Sequence, residues 1–485
     1  MSLTPSLPHP MLFYGICFLL GIASHLAFTP IYFLILLFVI LLWKKQLFKG
    51  CLFMLLGFIY GSFSVTLPTI SEEGVQGKGI FYPQKVSYAQ TSFGSSWRVE
   101  GILKKFETED TTWKNIPCLC YVPPKKKRLE SAHAWKVEGR LIPKGGHRYA
   151  LKPSQVTLDL SNKSLAEWRF QKKDQIRKQL VKLFKDPSVH AFLLSAITAE
   201  MDHHLLALHF NKIGLVHLLG VSGFQFSMLF FVLYKVLRLF LSYRCALYLL
   251  LTFFAYYTVI LGYTPPVGRA FMMIALSITA SLYSLQTSQL NRLGVALMAQ
   301  LLISPYAIFH LGFQFSFLCT LGLICIYPGC KSALDKVLIK RSFIEVRNLS
   351  LLDKIGYRAL CLGKELLSLN ISVSLIAFPL MLYHFHKVPL LGVLYNLFLP
   401  PMISAAYVFL LPALFLSYFS HLLALPFVKV TEALTKLTLF LAENPPQLFD
   451  VQWRISEFSA VYAVIYLSCL TALFYKRSRL FHEFF

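Results

Sequence analysis

Charge, and negative charge above all, is scarce in this chain. Only 14% of its 485 residues are charged, and 23 Asp and Glu stand against 47 Lys and Arg, a formal net charge of +24. Hydrophobic residues make up 56% of the sequence, and the mean hydropathy is +0.58. These values exclude an ordinary soluble globular protein and predict a polytopic α-helical membrane protein. Part of the positive excess is the usual bias of cytoplasmic loops, and the rest favours an anionic partner, either lipid or nucleic acid.

Several chemical motifs are also missing. The sequence has no P-loop and no His-Glu-x-x-His motif, so we expect neither a nucleotide-driven motor nor zinc-protease chemistry. The nearest metal-like cluster, Asp202-His203-His204 with His209, has no pair of ligands four residues apart. We therefore predict no metal, no cofactor and no catalytic residue. The first ten residues contain no Lys or Arg, which argues against a cleaved signal peptide.

The distribution of apolar runs predicts the domain organisation. Apolar runs near 11–28, 30–43 and 51–67 are followed by a polar segment, and apolar runs of membrane length resume after about 187. A basic loop at 331–365 interrupts them, and prolines near 389–412 predict a kinked or re-entrant element. The predicted parts are N-terminal transmembrane helices (1–67), an OB-like domain (68–163), a basic amphipathic interfacial helix (164–186) and a transmembrane channel domain (187–485).

Residues 68–185 differ in character from the rest of the chain. They hold 23 Lys and Arg against 11 Asp and Glu, and short alternating segments are separated by Pro123-Pro124 and Gly145-Gly146. This spacing predicts a small all-β barrel or sandwich, and an OB-type barrel fits the length. Cys118 and Cys120 are expected to point the same way from one strand, as free thiols, paired elsewhere or bridged to each other.

The 164–186 helix has two interpretations. Leu165, Trp168, Ile176 and Leu180 recur near helical spacing among lysines and arginines, which is typical of a helix lying on anionic lipid headgroups. A helix packed on the barrel would show the same pattern. Lysines 44, 45 and 49 precede the third apolar run, so the positive-inside rule places that loop in the cytoplasm and the 68–185 domain outside it.

A compact polar cluster lies inside the apolar stretch 213–230. His217, Ser222 and Gln225 occur there beside glycines, and Arg269 follows a Pro-Pro turn near the start of a later span. Polar groups at membrane depth are costly unless they face protein or water. We therefore predict a wet, polar path, although each residue alone is more often a helix-to-helix hydrogen bond or, for Arg269, an interfacial anchor. The predicted channel-lining residues are His217, Ser222, Gln225, Arg269, Gln314, Ser316 and Asn396.

Four ordered motifs resemble those of the ComEC competence proteins. The run HLLGVSGFQFSML at 217–229 is similar to the family's HLLAISGLH, and PPVGRAF at 265–271 is similar to its PSVLRA. GFQFSF at 312–317 is close to its GFQLSF, and the stretch from Phe378 to Asn396 resembles its PLLLYYF…NLLAIP region. The resemblance is specific for about 187–415. It is looser for the three opening helices and the Val137–Leu141 strand.

The resemblance implies an inner-membrane channel for uptake of single-stranded DNA during natural transformation, with an extracytoplasmic OB module. This sequence departs from the family's pattern in two places. Gln225 stands where the signature has histidine, so a proton or metal role there is not expected, and the HxHxDH motif of the family's nuclease domain does not occur. We therefore expect single-stranded DNA and membrane lipids as partners, with a separate DNA-delivery protein, nuclease and cytoplasmic motor. The oligomeric state stays open.

Two other interpretations stay open at this point. Gly220-Val221-Ser222-Gly223 also fits the GxSG of rhomboid intramembrane serine proteases, for which a histidine would have to act as base. A lipid or small-solute transporter is a third possibility, although it explains the basic outer domain poorly. Aromatic residues beside cations suit sequence-independent binding of single strands, but barrel-core aromatics and a solvated basic face would look alike. The predicted DNA-binding residues are Arg98, Lys104, Lys105, Trp113, Lys125, Lys126, Lys127, Arg128, Trp135, Lys136 and Arg140.

Overall fold

The computed structural model describes residues 9–26, 47–64, 70, 73–91, 94–108, 111–122, 130–144, 149–200, 204–337, 341–446 and 452–470. The predicted apolar run at 30–43 and the basic cluster Lys125–Arg128 lie outside these residues, as do Asp202 and His203.

Two apolar helices open the described chain, α1 (Pro10–Leu26) and α2 (Leu47–Ser64). Glycines bring them together: a Cβ at Gly57 would overlap the carbonyl of Phe18, and a Cβ at Gly21 would overlap that of Met54. Close backbone approach through small residues is how apolar helices associate where lipid removes the hydrophobic driving force.

Five strands then form a closed barrel. They are β1 (Val75–Thr91), β2 (Gly94–Glu107), β3 (Thr112–Val122), β4 (His133–Pro143) and β5 (Tyr149–Lys163). The strand order is β1-β2-β3-β5-β4, with β4 returning to β1, and the β3–β5 pair is parallel while the other pairs are antiparallel. Closure leaves the sheet without an open edge.

Alternation along the strands fills the barrel interior. Phe81, Leu103 and Phe106 are fully buried in it. Trp135 belongs to the same core at 1% exposure, and its indole N–H donates to the carbonyl of Glu130 at 3.1 Å. The prediction that Trp135 binds DNA is therefore wrong, because its faces are covered by barrel side chains. Cys120 is also buried and free, and burial raises the pKa of its thiol to about 12, so the thiol stays protonated at neutral pH.

Helix α3 (Ala166–Leu183) joins the barrel to the helices that follow. Ala166 is part of the barrel core, whereas Leu180 and Leu183 belong to the core of the helical region. Its charged Lys173 is buried against Glu200, at 3.2 Å. Protein therefore covers one face of α3, and Lys178 and Lys182 are exposed on the helix.

The remaining helices follow without a further domain of strands in the described residues. They are α4 (Pro187–Thr198), α5 (His204–Lys212), α6 (Gly223–Phe240), α7 (Tyr243–Leu261), α8 (Pro265–Leu282), α9 (Gln289–Ile303), α10 (Leu311–Cys325), α11 (Tyr327–Val337), α12 (Phe343–Asn348), α13 (Leu351–Phe385), α14 (Leu390–Tyr395), α15 (Leu399–Leu416), α16 (His421–Glu443) and α17 (Ala460–Leu470). Short 3₁₀ turns cover Val216–Leu219 and Pro305–Phe309, and the short strands β6 (Lys387–Pro389) and β7 (Gln452–Arg454) pair with each other.

Among the residues that the structure describes, five helices are long and apolar enough to cross a membrane: α6, α7, α8, α13 and α15. A sixth candidate is the pair α10 and α11, which bends by 46°. The fold is thus mostly helical, with a five-stranded barrel domain near its N-terminal end. In the stretch 389–412, where the sequence predicted a kinked or re-entrant element, the structure has the end of β6, α14 and a turn, followed by α15, which continues through Pro412.

Candidate functional site at the Arg269 junction

The four motif segments lie far apart in the sequence, and three of them meet at the side chain of Arg269. Its Nε donates to Ser316 Oγ at 2.6 Å, which joins α8 to α10. Its Nη2 lies against the α-carbon of Gly223, the first residue of α6, where a Cβ would overlap it. Helices α6, α8 and α10 therefore come together around one guanidinium, and we call this contact the Arg269 junction.

The local sequence explains how Arg269 reaches this position. Pro265 and Pro266 occupy the first turn of α8, where a missing N–H and a fixed φ suit the start of a helix. Gly312 lies at the start of α10, and a Cβ added there would be 3.2 Å from the Pro266 ring. The turn residues of α8 thus pack against the start of α10 and aim the next turn, with Arg269, between α10 and α6.

Ser222 and Gln225 close the N-terminus of α6. Ser222 Oγ accepts a hydrogen bond from the Gln225 N–H at 3.2 Å, and Gln225 Oε1 accepts one from the Ser222 N–H at 2.8 Å. This is a capping box, which satisfies otherwise unpaired donors of the first turn. Gln225 is buried at 3% exposure. These two predicted lining residues thus hold the shape of the junction, and their oxygen atoms are engaged within the cap.

The same geometry bears on the protease interpretation. Among the described residues, Ser222 has no histidine hydrogen-bonded to its hydroxyl: His384 is paired with Gln314 at 2.7 Å, and His310 accepts from the Gly312 N–H at 3.0 Å. A serine nucleophile needs a base within hydrogen-bond reach. The arrangement is that of a helix cap and gives Ser222 no activating partner.

The other predicted lining residues lie at neighbouring helix contacts. Gln314 links its own helix to α13 through His384 and also donates to the carbonyl of Ile308 at 2.9 Å. Asn396 donates to Asn370 of α13 at 3.2 Å. Neither Gln314 nor Asn396 makes a hydrogen bond with Arg269. His217 is exposed on the 3₁₀ turn before α6.

The fourth motif segment packs against the residues that precede the first motif. Gly214 has φ +75°, and a Cβ there would overlap the ring of Pro389. A Cβ at Gly392 would lie 2.5 Å from the carbonyl of Ile213. Segments near 213 and 390 are therefore in backbone contact, a relation that the motifs alone do not reveal.

The electrostatic surroundings of the junction are one-sided. The sequence contains no Asp or Glu from 203 to 334, a stretch that includes α6 to α10, and it contains Arg269 and Arg292 there. No ion pair of Arg269 with a carboxylate occurs among the described residues. The positive end of the α6 dipole adds to the field of the guanidinium. The junction therefore carries a positive charge that no carboxylate of this stretch balances.

Outside the helical region, cations and aromatic rings share the barrel surface. Lys104 lies 4.7 Å from the centre of the Tyr82 ring, and Lys144 lies 4.5 Å from that of Tyr121. Arg98 pairs with Glu100 at 2.8 Å, and Trp113 is half-buried and stacked on Phe106. Lys136 and Arg140 are exposed on β4, which neighbours β1. Sequence reasoning missed Tyr82, whose pairing with Lys104 depends on strand register.

No candidate metal site is found in the described part of the chain, where no three His, Cys, Asp or Glu side chains are grouped to hold an ion.

The fold and the junction define a class of chain, namely a helical protein with several candidate membrane spans and an attached five-stranded barrel. The sequence model of the family described as "Competence protein" matches residues 193–480, more than half of the chain. The chain therefore belongs to the competence protein family, as the motifs indicated.

A relative in Bacillus subtilis (strain 168), "ComE operon protein 3", is 28% identical over 192 residues, which cover 39% of this chain and 21% of the relative. The match thus spans about a fifth of that protein's length. No solved structure matches this chain.

Proposed function

We propose that this chain is a multi-pass inner-membrane channel that conducts single-stranded DNA into the cell during natural transformation. Membership of the competence protein family supports a role in DNA uptake. The observation that carries the channel proposal is the Arg269 junction, a guanidinium held between three helices in a stretch free of Asp and Glu from 203 to 334.

The physical argument concerns the charge of the transported strand. Each nucleotide brings one phosphate. The free-energy cost of placing an anion in a low-dielectric span is prohibitive unless positive or polar groups compensate its charge. Arginine keeps its charge and offers several N–H donors in a planar fork. It can therefore bind successive phosphates of a moving strand, one after another. A neighbouring carboxylate would cancel this attraction, and none is present in 203–334.

We propose that the barrel is an OB-type module that receives the strand outside the cytoplasm. Its strand order, with a parallel β3–β5 pair closing a five-stranded barrel, supports this assignment. Stacking of bases on aromatic rings beside cations gives binding without sequence preference. The exposed or half-exposed residues we assign to this surface are Tyr82, Arg98, Lys104, Lys105, Trp113, Tyr121, Lys136, Arg140 and Lys144.

The other candidate functions have less support. The protease lacks a base at Ser222 in the described residues, and a lipid or small-solute transporter has no use for the cation–aromatic pairs of the barrel. Under the channel proposal, strand delivery, strand degradation and driving force come from other polypeptides, as the family resemblance implies.

Binding of a fluorescent oligodeoxynucleotide to the purified full-length protein tests the barrel assignment. We expect binding without sequence preference that weakens as salt rises. The double change Lys104→Ala and Lys105→Ala should reduce the slope of log K against log salt by about 1 to 2, because each lost phosphate contact lowers it by about 1.

Lys178→Ala is the matched control, since Lys178 lies on α3 and pairs with Asp174 at 2.7 Å. It should leave the slope unchanged. Binding that is independent of salt, or an equal reduction of the salt slope in the control, would contradict the assignment of strand binding to this barrel surface.

A further inference from the structure

A second cationic recess lies at the far end of α8 from Arg269. It has a volume of about 300 Å³ and is formed where α8 ends and α9 begins. Twelve residues separate Arg269 from Ser281 in the recess, which at the rise of an α-helix is about 18 Å. The recess is therefore separate from the junction assigned to DNA.

Arg292 supplies the charge of this recess. Its Nη1 donates to Ser277 Oγ at 2.6 Å, while its Nε is buried and has no hydrogen-bond partner. The described residues give it no ion pair, and no Asp or Glu occurs in 203–334. A buried guanidinium N–H without a partner is costly, so a bound ligand that supplies an acceptor would stabilise this site.

Hydroxyl groups complete the lining. Ser281, Ser284 and Thr287 line the recess and are exposed to solvent. Serine and threonine hydroxyls can donate to an oxyanion, and a guanidinium binds phosphate through parallel N–H donors. The recess thus presents donors and positive charge without a competing carboxylate, and its volume is sufficient for a phosphate with its substituent.

We propose that this recess binds a phosphate group, with Arg292 as its charged anchor. The phosphate belongs either to the headgroup of an anionic phospholipid or to free inorganic phosphate. Apolar surface beside the recess suits a lipid: Tyr283 is 69% exposed and Leu285 is 55% exposed at the end of a candidate span. The site is independent of the DNA path proposed above.

Native mass spectrometry of the delipidated full-length protein in detergent tests this proposal in two arms. One arm adds phosphatidylglycerol and the other adds inorganic phosphate. In whichever arm the wild type binds, Arg292→Gln should weaken binding about tenfold or more, because a charge-assisted contact is lost. Arg244→Gln, which removes an exposed arginine at the start of α7, should bind as the wild type does.

The double change Ser281→Ala and Thr287→Ala keeps Arg292 and guards against a folding defect in the arginine variant. It should weaken binding about threefold or more through lost hydroxyl donors. Binding of phosphatidylglycerol alone identifies a lipid site, and binding of inorganic phosphate identifies a free-phosphate site. Binding in neither arm, or an equal loss in Arg244→Gln, overturns the proposal, as does unchanged binding in the double variant.

Discussion

Gly223 shows how one residue without a side chain can place a charge. Its α-carbon is the surface on which the guanidinium of Arg269 rests, while Ser316 holds the Nε from the other side. The sequence places a glycine beside Ser222 in the motif, and flexibility is the usual explanation of such a residue. The structure gives a steric reason instead, since a methyl group would occupy the position of Nη2.

Gly223→Ala should therefore displace Arg269 without removing its charge. The clashing atom is the far end of a flexible side chain, so we expect the protein to fold and insert but strand uptake to fall about tenfold or more, since misplacing a group by about 1 Å costs up to about 100-fold. Transformation frequency at matched protein level measures this.

Gly220→Ala is the control from the same motif. A Cβ there would be 3.9 Å from its nearest neighbour, the carbonyl of His217. Uptake at the wild-type level in both glycine variants would show that the position of the Arg269 guanidinium does not matter.

At the scale of elements, α3 is a connector built around buried charge. Lys173 contacts Glu200 at 3.2 Å and donates to the carbonyl of Leu261 at 3.1 Å, and Arg177 reaches the other carboxylate oxygen at 3.4 Å. From the barrel, Lys85 donates to the carbonyl of Ala199 at 3.1 Å. The sequence predicted a basic helix with an apolar stripe. It did not predict that Lys173 lies inward, because the acid that pairs with it is on another element.

Removing the acid should loosen this connector. Glu200→Gln leaves Lys173 buried without its counter-charge, and breaking one side of a buried pair costs about 3 to 5 kcal/mol. We expect a clear fall in the apparent melting temperature of the purified protein, with partial recovery in the double change Lys173→Met and Glu200→Gln.

Glu138→Gln is the matched control, because its pair with Lys78 is largely exposed. Exposed pairs contribute about 0 to 1 kcal/mol, so the melting temperature should hardly move. Equal effects of the two changes would mean that the buried pair does not hold α3.

For the whole molecule, the sequence predicted a helical membrane protein with a small β domain, because mean hydropathy, charge and strand alternation are properties of local segments. It also predicted the family, because the motifs are contiguous. It did not predict the contacts among Gly223, Arg269 and Ser316, since these depend on how distant helices pack. For the same reason the sequence could not tell whether Trp135 is a DNA-binding residue or a core residue, and the structure buries it in the core.

The proposed topology has a direct test in reporter fusions. Fusions at Gly145, between β4 and β5, and at Ser350, before α13, should report opposite compartments, because Lys44, Lys45 and Lys49 are expected in the cytoplasm and the segment 331–365 is basic. This segment is mostly helical, in parts of α11, α12 and the start of α13, where the sequence predicted a loop. An alkaline phosphatase fusion should be active at Gly145 and a green fluorescent protein fusion bright at Ser350. If both fusions reported the same compartment, the proposed topology would be contradicted.

The most direct test of the central claim is uptake of a labelled DNA strand by a deletion strain that expresses this chain or its Arg269→Gln variant. Glutamine is a polar side chain roughly similar in size to arginine, and the substitution removes the positive charge at the junction of α6, α8 and α10. We predict that the wild type restores accumulation of one strand in the cytoplasm, that Arg269→Gln reduces it at least tenfold at equal membrane abundance, and that Arg269→Lys recovers part of the loss, because charge is kept without the planar fork. Full strand uptake by Arg269→Gln would contradict a phosphate-handling role for the junction, and no strand uptake with the wild type would contradict the channel itself.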